Sequence, residues 1–276
     1  MERTVIVTAR GDSGKALSYT LQAADLRGKI NDKPMQILAA TKPANPRRVV
    51  LVLDASGSMA GKWLRLVEFG AEIVHESPSS TEFALVIFAD KELRRVEFGK
   101  TGPEMITEIM SFKNVNPSGK TPLRDAIWEA VSMFQPNREG DTIVVVSDGG
   151  DNQSKVSPRR LREAMWSRGI RVMFAQVVDH FATQPEHIDN RDAASLSQSS
   201  GGFLFPIEDP RVLPNTAQEI ASRIESYLAL RVALPTALEK EASIHLEAVD
   251  SSGRKRKNVE LGFPEKLLPC ASLTSR

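Results

Sequence analysis

The sequence is poor in cysteine: Cys270 is the only one among 276 residues. A single cysteine excludes an intrachain disulfide framework and any zinc site built from several cysteines. It does not distinguish a protein inside the cell from one outside, because disulfide-free proteins occur in both compartments. The chain also has no internal repeat and no low-complexity segment.

Long apolar runs are absent as well. No stretch reaches the roughly 18 apolar residues that span a bilayer, and the opening MERTVIVTARGD has no signal-peptide core. We therefore expect no membrane insertion. An exported protein that had lost its leader would give the same N-terminal sequence, so the sequence excludes neither a cytoplasmic nor an extracytoplasmic location.

Neither sign of charge is in excess. Lys and Arg total 36 against 35 Asp and Glu, a formal net charge of +1. This balance gives no strong attraction to nucleic acid or to an anionic membrane. The basic run at residues 254–257 is typical of a solvated hairpin tip that discourages edge-to-edge strand pairing. We expect no nucleic-acid partner.

Aliphatic strands alternate with amphipathic helices from Arg48 onward, a pattern typical of an α/β fold. It predicts a doubly wound, mostly parallel sheet with helices on both faces. Residues 83–88 and 93–98 look like a hairpin, so one strand should be antiparallel at an edge. The predicted strands are 49–53, 83–88, 93–98, 142–146, 172–177 and 202–206. The predicted helices are 63–75, 103–112, 123–134, 158–167, 191–199 and 212–224.

Short strands precede and follow this α/β region. The turn at residues 31–34 separates two N-terminal strands, and residues 228–234, 243–249 and 258–261 read as C-terminal ones. Neither group stands alone, so we expect them to pair into a small β-sandwich. The resulting division is an N-terminal β segment (1–46), an α/β domain (47–226) and a C-terminal β segment (227–276).

Three loops should meet at the carboxyl edge of the sheet, where ligands bind in such folds. The strand VLVL stops at Asp54 and is followed by Ser56 and Ser58. A second loop brings Thr121 just before a helix, and a third brings Asp148 directly after another aliphatic strand. Two carboxylates and three hydroxyls match the oxygen ligands of Mg²⁺, and leave the ion electrophilic toward an incoming carboxylate.

The D-x-S-x-S pattern of Asp54, Ser56 and Ser58, followed by Thr121 and by the Asp-Gly pair at Asp148, resembles the metal-ion-dependent adhesion site of von Willebrand factor A domains. The resemblance covers about residues 48–224. It implies that Ser56 and Ser58 bind the metal directly. It also implies that the remaining three residues bind directly or through water, that the cation is Mg²⁺ or else Mn²⁺ or Ca²⁺, and that the family's VWA/Rossmann-like fold applies.

Two further comparisons refine that resemblance. The segment VTARGDSGKALSYTLQAADLRGKINDKPMQI is similar to bacterial, Acidobacteria-type VWA-related proteins, which implies an extracytoplasmic, secreted or periplasmic location. Integrin β subunits carry acidic residues after the motif for an adjacent cation, whereas this chain has Ala60-Gly61-Lys62. No second, adjacent cation is expected.

Other motifs have plainer explanations. Gly119-Lys120-Thr121 resembles the end of a P-loop, but Asn114 stands where that motif needs glycine. Residues 10–14 contain an RGD tripeptide and a GDSG stretch, both more typical of a turn. The Asp, Glu and His residues at 179–189 match no metal-ligand spacing.

The favoured hypothesis is a cation-dependent protein-binding module of adhesion type that captures an Asp or Glu of a partner protein. An enzyme is not expected, because Asp151 is the only further carboxylate near the site that could act as a base. The alternative is a scaffold subunit of a larger complex, for example an ATPase-associated one, with a structural or vestigial metal site. Partner identity and oligomeric state do not follow from the sequence.

Overall fold

The computed structural model describes residues 2–11, 17, 20–90, 92–178, 190–234 and 238–269, and its central element is a six-stranded sheet. Its strands in chain order are β4 (Arg48–Asp54), β5 (Glu82–Phe88), β6 (Glu92–Lys100), β7 (Thr142–Ser147), β8 (Arg171–Val177) and β9 (Leu204–Ile207). Their order in the sheet is β6-β5-β4-β7-β8-β9. All pairs are parallel except β5 with β6, so the predicted antiparallel edge strand is confirmed.

Helices cover both faces of this sheet because its central strands are apolar on both sides. Along β4, Leu51 and Leu53 pack on one face while Val50 and Val52 pack on the other. The first face carries α1 (Trp63–Glu76), α2 (Gly102–Met110) and α6 (Leu213–Glu225); the second carries α3 (Leu123–Met133), α4 (Pro158–Arg168) and α5 (Asn190–Ser199). The predicted doubly wound architecture is confirmed. No helix in the described segments is long and apolar enough to cross a membrane.

A separate antiparallel sheet combines the two ends of the chain. Its strands are β1 (Glu2–Gly11), β2 (Leu26–Ile30), β3 (Lys33–Thr41), β10 (Tyr227–Ala233), β11 (Ala242–Ala248), β12 (Val259–Gly262) and β13 (Lys266–Leu267). They run in the order β12-β1-β10-β3-β2-β11-β13. The predicted pairing of N- and C-terminal strands therefore exists, in β1 with β10 and in β2 with β11.

This second sheet is curled. Strand β12, at one edge, contacts β11, next to the other edge, and one apolar cluster fills the space between. The tight turn between β2 and β3 places Asn31 and Asp32 at φ values of 45° and 63°, which suits a hairpin between twisted strands. A sandwich of two sheets face to face remains a prediction.

Some local expectations need correction. Strand β13 was not predicted, because two residues show no periodicity. Arg10 and Gly11 continue β1 as strand residues, since β12 pairs with them; the rest of the expected turn at 10–14 lies outside the described residues. Arg256 in the basic tip is held by Asp25 at 2.9 Å and by the carbonyl of Val249, so this charge is not simply solvated.

A buried arginine links the two sheets. Arg171 is 0% exposed, and its guanidinium donates to Thr8 of β1, to Thr142 of β7 and to the carbonyl of Ile224 at the end of α6. Its charge also lies 4.5 Å from the ring centre of Tyr227. Burial lowers the pKa of Arg171 to about 10, which still leaves it charged at neutral pH. This one side chain therefore donates hydrogen bonds to three elements, β1, β7 and α6.

We expect Arg171→Leu to lower the free energy of unfolding by about 3 kcal/mol, because buried carbonyl and hydroxyl groups lose their donor. The measurement is urea denaturation. Arg159→Leu is the control, since Arg159 is 80% exposed in its ion pair with Glu163 and should change stability by less than about 1 kcal/mol. Equal effects of the two substitutions would contradict the linking role of Arg171.

Candidate functional site

Asp54 ends the central strand β4 and is 0% exposed. Strands β5 and β7 pair with β4 on either side, so the carboxylate has no lateral access to water. One oxygen, Oδ1, accepts the Ser56 amide at 2.9 Å, and Oδ2 accepts the Ser147 hydroxyl at 2.6 Å. The side chain is fixed by two donors in a buried position.

Ser56 and Ser58 present their hydroxyls together. Ser56 is buried and extended, and a single 3-10 turn over Gly57–Met59 carries the exposed Ser58 back toward it. The two Oγ atoms are 3.2 Å apart. The D-x-S-x-S spacing thus places two neutral oxygen ligands beside each other.

The loop that carries Thr121 is bonded to this first loop. The Gly57 amide donates to the carbonyl of Gly119 at 3.1 Å, and the Ser118 amide donates to the carbonyl of Ala55 at 3.1 Å. Gly119 has φ = +86°, and a Cβ there would lie 2.7 Å from Asp90, so the position suits only glycine. Thr121 itself is only 5% exposed.

The third loop follows β7 and carries Asp148, which is 7% exposed. Its Oδ1 accepts the Gly150 amide at 3.0 Å, and its carbonyl accepts the Gln176 side chain at 3.2 Å. Asn152, two residues beyond Gly150, bonds this third loop to the loop that carries Thr121. The Oδ1 of Asn152 accepts the backbone amide of Thr121 at 2.9 Å, and the backbone amide of Asn152 donates to the Thr121 carbonyl at 3.1 Å. The three loops form one hydrogen-bonded unit.

The electrostatics of Asp54 reflect its burial. Loss of water raises the pKa of Asp54 from 3.8 to about 6, against the opposing effect of the hydrogen bonds from Ser147 and Ser56. The negative charge of Asp148 raises this pKa further. The two carboxylates are therefore close enough to repel each other.

These donors fit a hard divalent cation. A cation beside Asp54 and Asp148 would relieve both the repulsion and part of the desolvation cost, because opposite charge favours the ionised form. No group of three or more His, Cys, Asp and Glu side chains suited to a metal occurs within the described ranges. Besides the two carboxylates, Ser56 and Ser58 offer hydroxyl oxygens next to Asp54 in the same loop. Oxygen donors of this kind suit Mg²⁺ or Ca²⁺.

Sequence reasoning missed the residues that hold these ligands. Ser147 is fully buried; besides donating to Asp54 it accepts the Gly149 amide at 3.0 Å. Asn152 joins the second and third loops. Ser147 directly precedes Asp148 in sequence and Asn152 follows it by four residues, and this proximity was the only sequence signal for either residue. The Asp, Glu and His group at 179–189 lies outside the described residues.

We expect Ser147→Ala to lower the free energy of unfolding by about 1 to 2 kcal/mol, because a buried carboxylate and the Gly149 amide both lose a partner. Chemical denaturation measures this. Ser132→Ala is the matched control, since the Ser132 hydroxyl bonds only to the Glu129 carbonyl within α3. An unchanged stability in Ser147→Ala would show that this hydroxyl does not support Asp54.

Comparisons with known proteins give a family match within the α/β region. The model of the von Willebrand factor type A domain family matches residues 49–150, which hold all five candidate residues. Human inter-alpha-trypsin inhibitor heavy chain H3 is 25% identical over 132 residues, which is 44% of this chain and 15% of that protein. The pig heavy chain H4 is 26% identical over 130 residues, 44% of this chain and 14% of the relative. The chain thus spans about a seventh of the length of these curated relatives.

Solved structures share the fold. A von Willebrand factor type A protein from Catenulispora acidiphila covers 100% of this chain and 75% of its own, with a TM-score of 0.55 and 12% identity. Proximal thread matrix protein 1 from the mussel byssus covers 70% of this chain and 50% of its own, with a TM-score of 0.55 and 18% identity. Together with the family match, these likenesses confirm the predicted resemblance of the α/β region to von Willebrand factor type A domains.

Proposed function

We propose that this protein is a divalent-cation-dependent protein-binding module of adhesion type. Asp54, Ser56, Ser58, Thr121 and Asp148 would hold the cation as a metal-ion-dependent adhesion site. The bound ion would supply a positive charge with an open position, which a carboxylate of the partner protein fills. The match to the von Willebrand factor type A family supports the general role in protein interaction.

One observation carries the proposal: two repelling carboxylates lie in a unit of three loops joined by backbone hydrogen bonds. Asp54 is a buried carboxylate with a raised pKa, and a neutral residue at this position would avoid the cost of burying a charge. Such a cost is typical of a functional position. The exposed hydroxyl of Ser58 lies on the solvent side of the buried Ser56, where a partner can approach.

Mg²⁺ is the proposed ion, with Mn²⁺ and Ca²⁺ as further candidates. Mg²⁺ keeps water or ligand oxygens in its coordination shell and is seldom enclosed by protein alone, which suits a site at the edge of a sheet. Two carboxylates roughly neutralise the ion, and hydroxyls add little donor strength. An incoming Asp or Glu side chain would therefore find an electrophilic ion.

Binding is proposed over catalysis because of how Asp151 is used. This carboxylate was the candidate general base, but its Oδ2 accepts the Arg124 amide at 2.9 Å and lies 3.3 Å from the Arg124 guanidinium. Its Oδ1 accepts the Ser154 amide at 3.1 Å. These contacts occupy both oxygens of the carboxylate and hold it in place. Its contacts support a structural role for Asp151.

The remaining expectations stand as proposals. The chain divides into a β segment (1–46), an α/β domain (47–226) and a β segment (227–276), and the protein works outside the cytoplasm. Since the chain spans a small part of its curated relatives, a role as scaffold subunit of a larger assembly is the competing function. Loss of partner binding on removing the cation separates adhesion from scaffolding.

We expect Mn²⁺ or Mg²⁺ to raise the thermal unfolding temperature relative to EDTA, because an ion that binds only the folded state stabilises it. At about 100 times its dissociation constant the gain is about 2.7 kcal/mol. Ser58→Ala should reduce the gain, since Ser58 is exposed and its loss leaves the core intact. Ser79→Ala, at an exposed serine outside the three loops, should retain it. No metal-dependent shift in the parent chain would refute the cation site.

Partner binding should also depend on the cation. Immobilised protein incubated with an extract of its source organism should retain the partner in Mg²⁺ and release it in EDTA. Asp148→Asn should retain little, because the neutral amide removes one of the two charges that hold the ion. Retention that is indifferent to EDTA and to Asp148→Asn would favour the scaffold role.

A further inference from the structure

A groove of about 590 Å³ runs between helices α1 and α6, which pack against each other. It is lined by Arg65, Glu68 and Phe69 from α1 and by Asp209 and Leu213 from the other side. Phe69 and Leu213 belong to the core on this face of the sheet, so the floor is apolar. The volume suits one or two side chains of a bound segment.

The groove opens at the same edge of the sheet as the candidate cation site. Helix α1 starts at Trp63, shortly after the loop that carries Ser58, and the residues before α6 follow directly from β9. Strands β4 and β9 belong to the parallel part of the sheet, so their carboxyl ends point the same way. A ligand on the cation would therefore lie near the upper end of the groove.

Apolar side chains flank this end of the groove. Leu64 is 50% exposed and Val212 is 39% exposed, and within the described residues they are the only large apolar side chains of this kind. Leu64 precedes Arg65 in the first turn of α1, and Val212 lies between the lining residues Arg211 and Leu213. Leu64 and Val212 thus adjoin lining residues of the two walls without lining the groove themselves, and exposed apolar side chains next to a concave surface are typical of a protein contact.

The residues that line the groove include three carboxylates and two guanidinium groups. Glu68 and Glu72 lie one helical turn apart on α1, and neither takes part in an ion pair with another described residue. Asp209 and Arg211 on the opposite wall pair with each other. Arg65 also lines the groove on α1, so the lining keeps an excess of one negative charge, which complements one Lys or Arg side chain of the occupant.

We propose that the groove binds the same partner segment whose carboxylate binds the cation, and that this segment also carries an aliphatic and a basic side chain. The aliphatic side chain packs between Leu64 and Val212, and the basic one faces Glu68 and Glu72. This inference rests on the proposed function and adds the sequence character of the partner. It names a specificity surface separate from the five cation ligands.

The test uses a synthetic library of short random peptides, each with one fixed aspartate, selected on the whole chain in Mn²⁺. The selected peptides should carry an aliphatic residue and a Lys or Arg at a constant spacing from the aspartate. Leu64→Ser and Glu68→Lys should each raise the dissociation constant of such a peptide about tenfold. Mn²⁺ binding by both variants, followed by water-proton relaxation, should be unchanged.

Glu239→Lys is the charge-matched control, because Glu239 is exposed between β10 and β11, in the other sheet, and should leave peptide binding intact. Selected peptides without aliphatic or basic preference, or parental affinity in Leu64→Ser and Glu68→Lys, would overturn the groove proposal while the cation site stands. Failure to select any Mn²⁺-dependent peptide on a chain that binds Mn²⁺ would overturn it as well. A chain that does not bind Mn²⁺ would instead refute the proposed function, and the groove proposal with it.

Discussion

Burial of the Asp54 carboxylate at the end of the central strand is the constraint on which the rest of the candidate site depends. A carboxylate without access to water needs donors, and here they come from Ser56 in the same loop and from Ser147 at the end of the neighbouring strand. Strand pairing between β4 and β7 sets the distance between those two strand ends. The site is therefore built from sheet register as much as from side-chain identity.

Backbone hydrogen bonds extend this constraint to the other loops. Gly57 and Gly119 meet through an amide and a carbonyl, and Asn152 ties the Thr121 loop to the loop after β7. Because each loop holds the next, a change in one should alter the position of ligands in the others. The same edge also carries the upper end of the groove between α1 and α6, so one surface could combine a charge contact with an apolar contact.

The antiparallel sheet is attached to the α/β unit by a different kind of interaction, a buried guanidinium. Arg171 has carbonyls, hydroxyls and the Tyr227 ring as its partners, and the hydrogen bonds from its two terminal nitrogens offset part of the cost of burying its charge. Arg47 stacks on the same ring with its charge 4.4 Å from the ring centre. This junction lies at the opposite end of the strands from Asp54, so the attachment of the antiparallel sheet and the proposed binding activity draw on separate parts of the α/β sheet.

The sequence by itself determined the α/β architecture. Runs such as Val49–Leu53 are apolar on both faces of the strand, which requires helices on both sides of the sheet, and amphipathic helices follow at regular intervals. It also indicated the five candidate ligands through the spacing of Asp54, Ser56 and Ser58 and through the two later loops. Only the tertiary structure decided which distant groups support them: the Ser147 hydroxyl that donates to Asp54, the bond between Gly57 and Gly119, and the contacts of Asn152 all join residues distant in sequence. Likewise, the periodicity of a helix shows which face is apolar, but the groove beside Leu64 and Val212 exists only because α1 and α6 pack as neighbours.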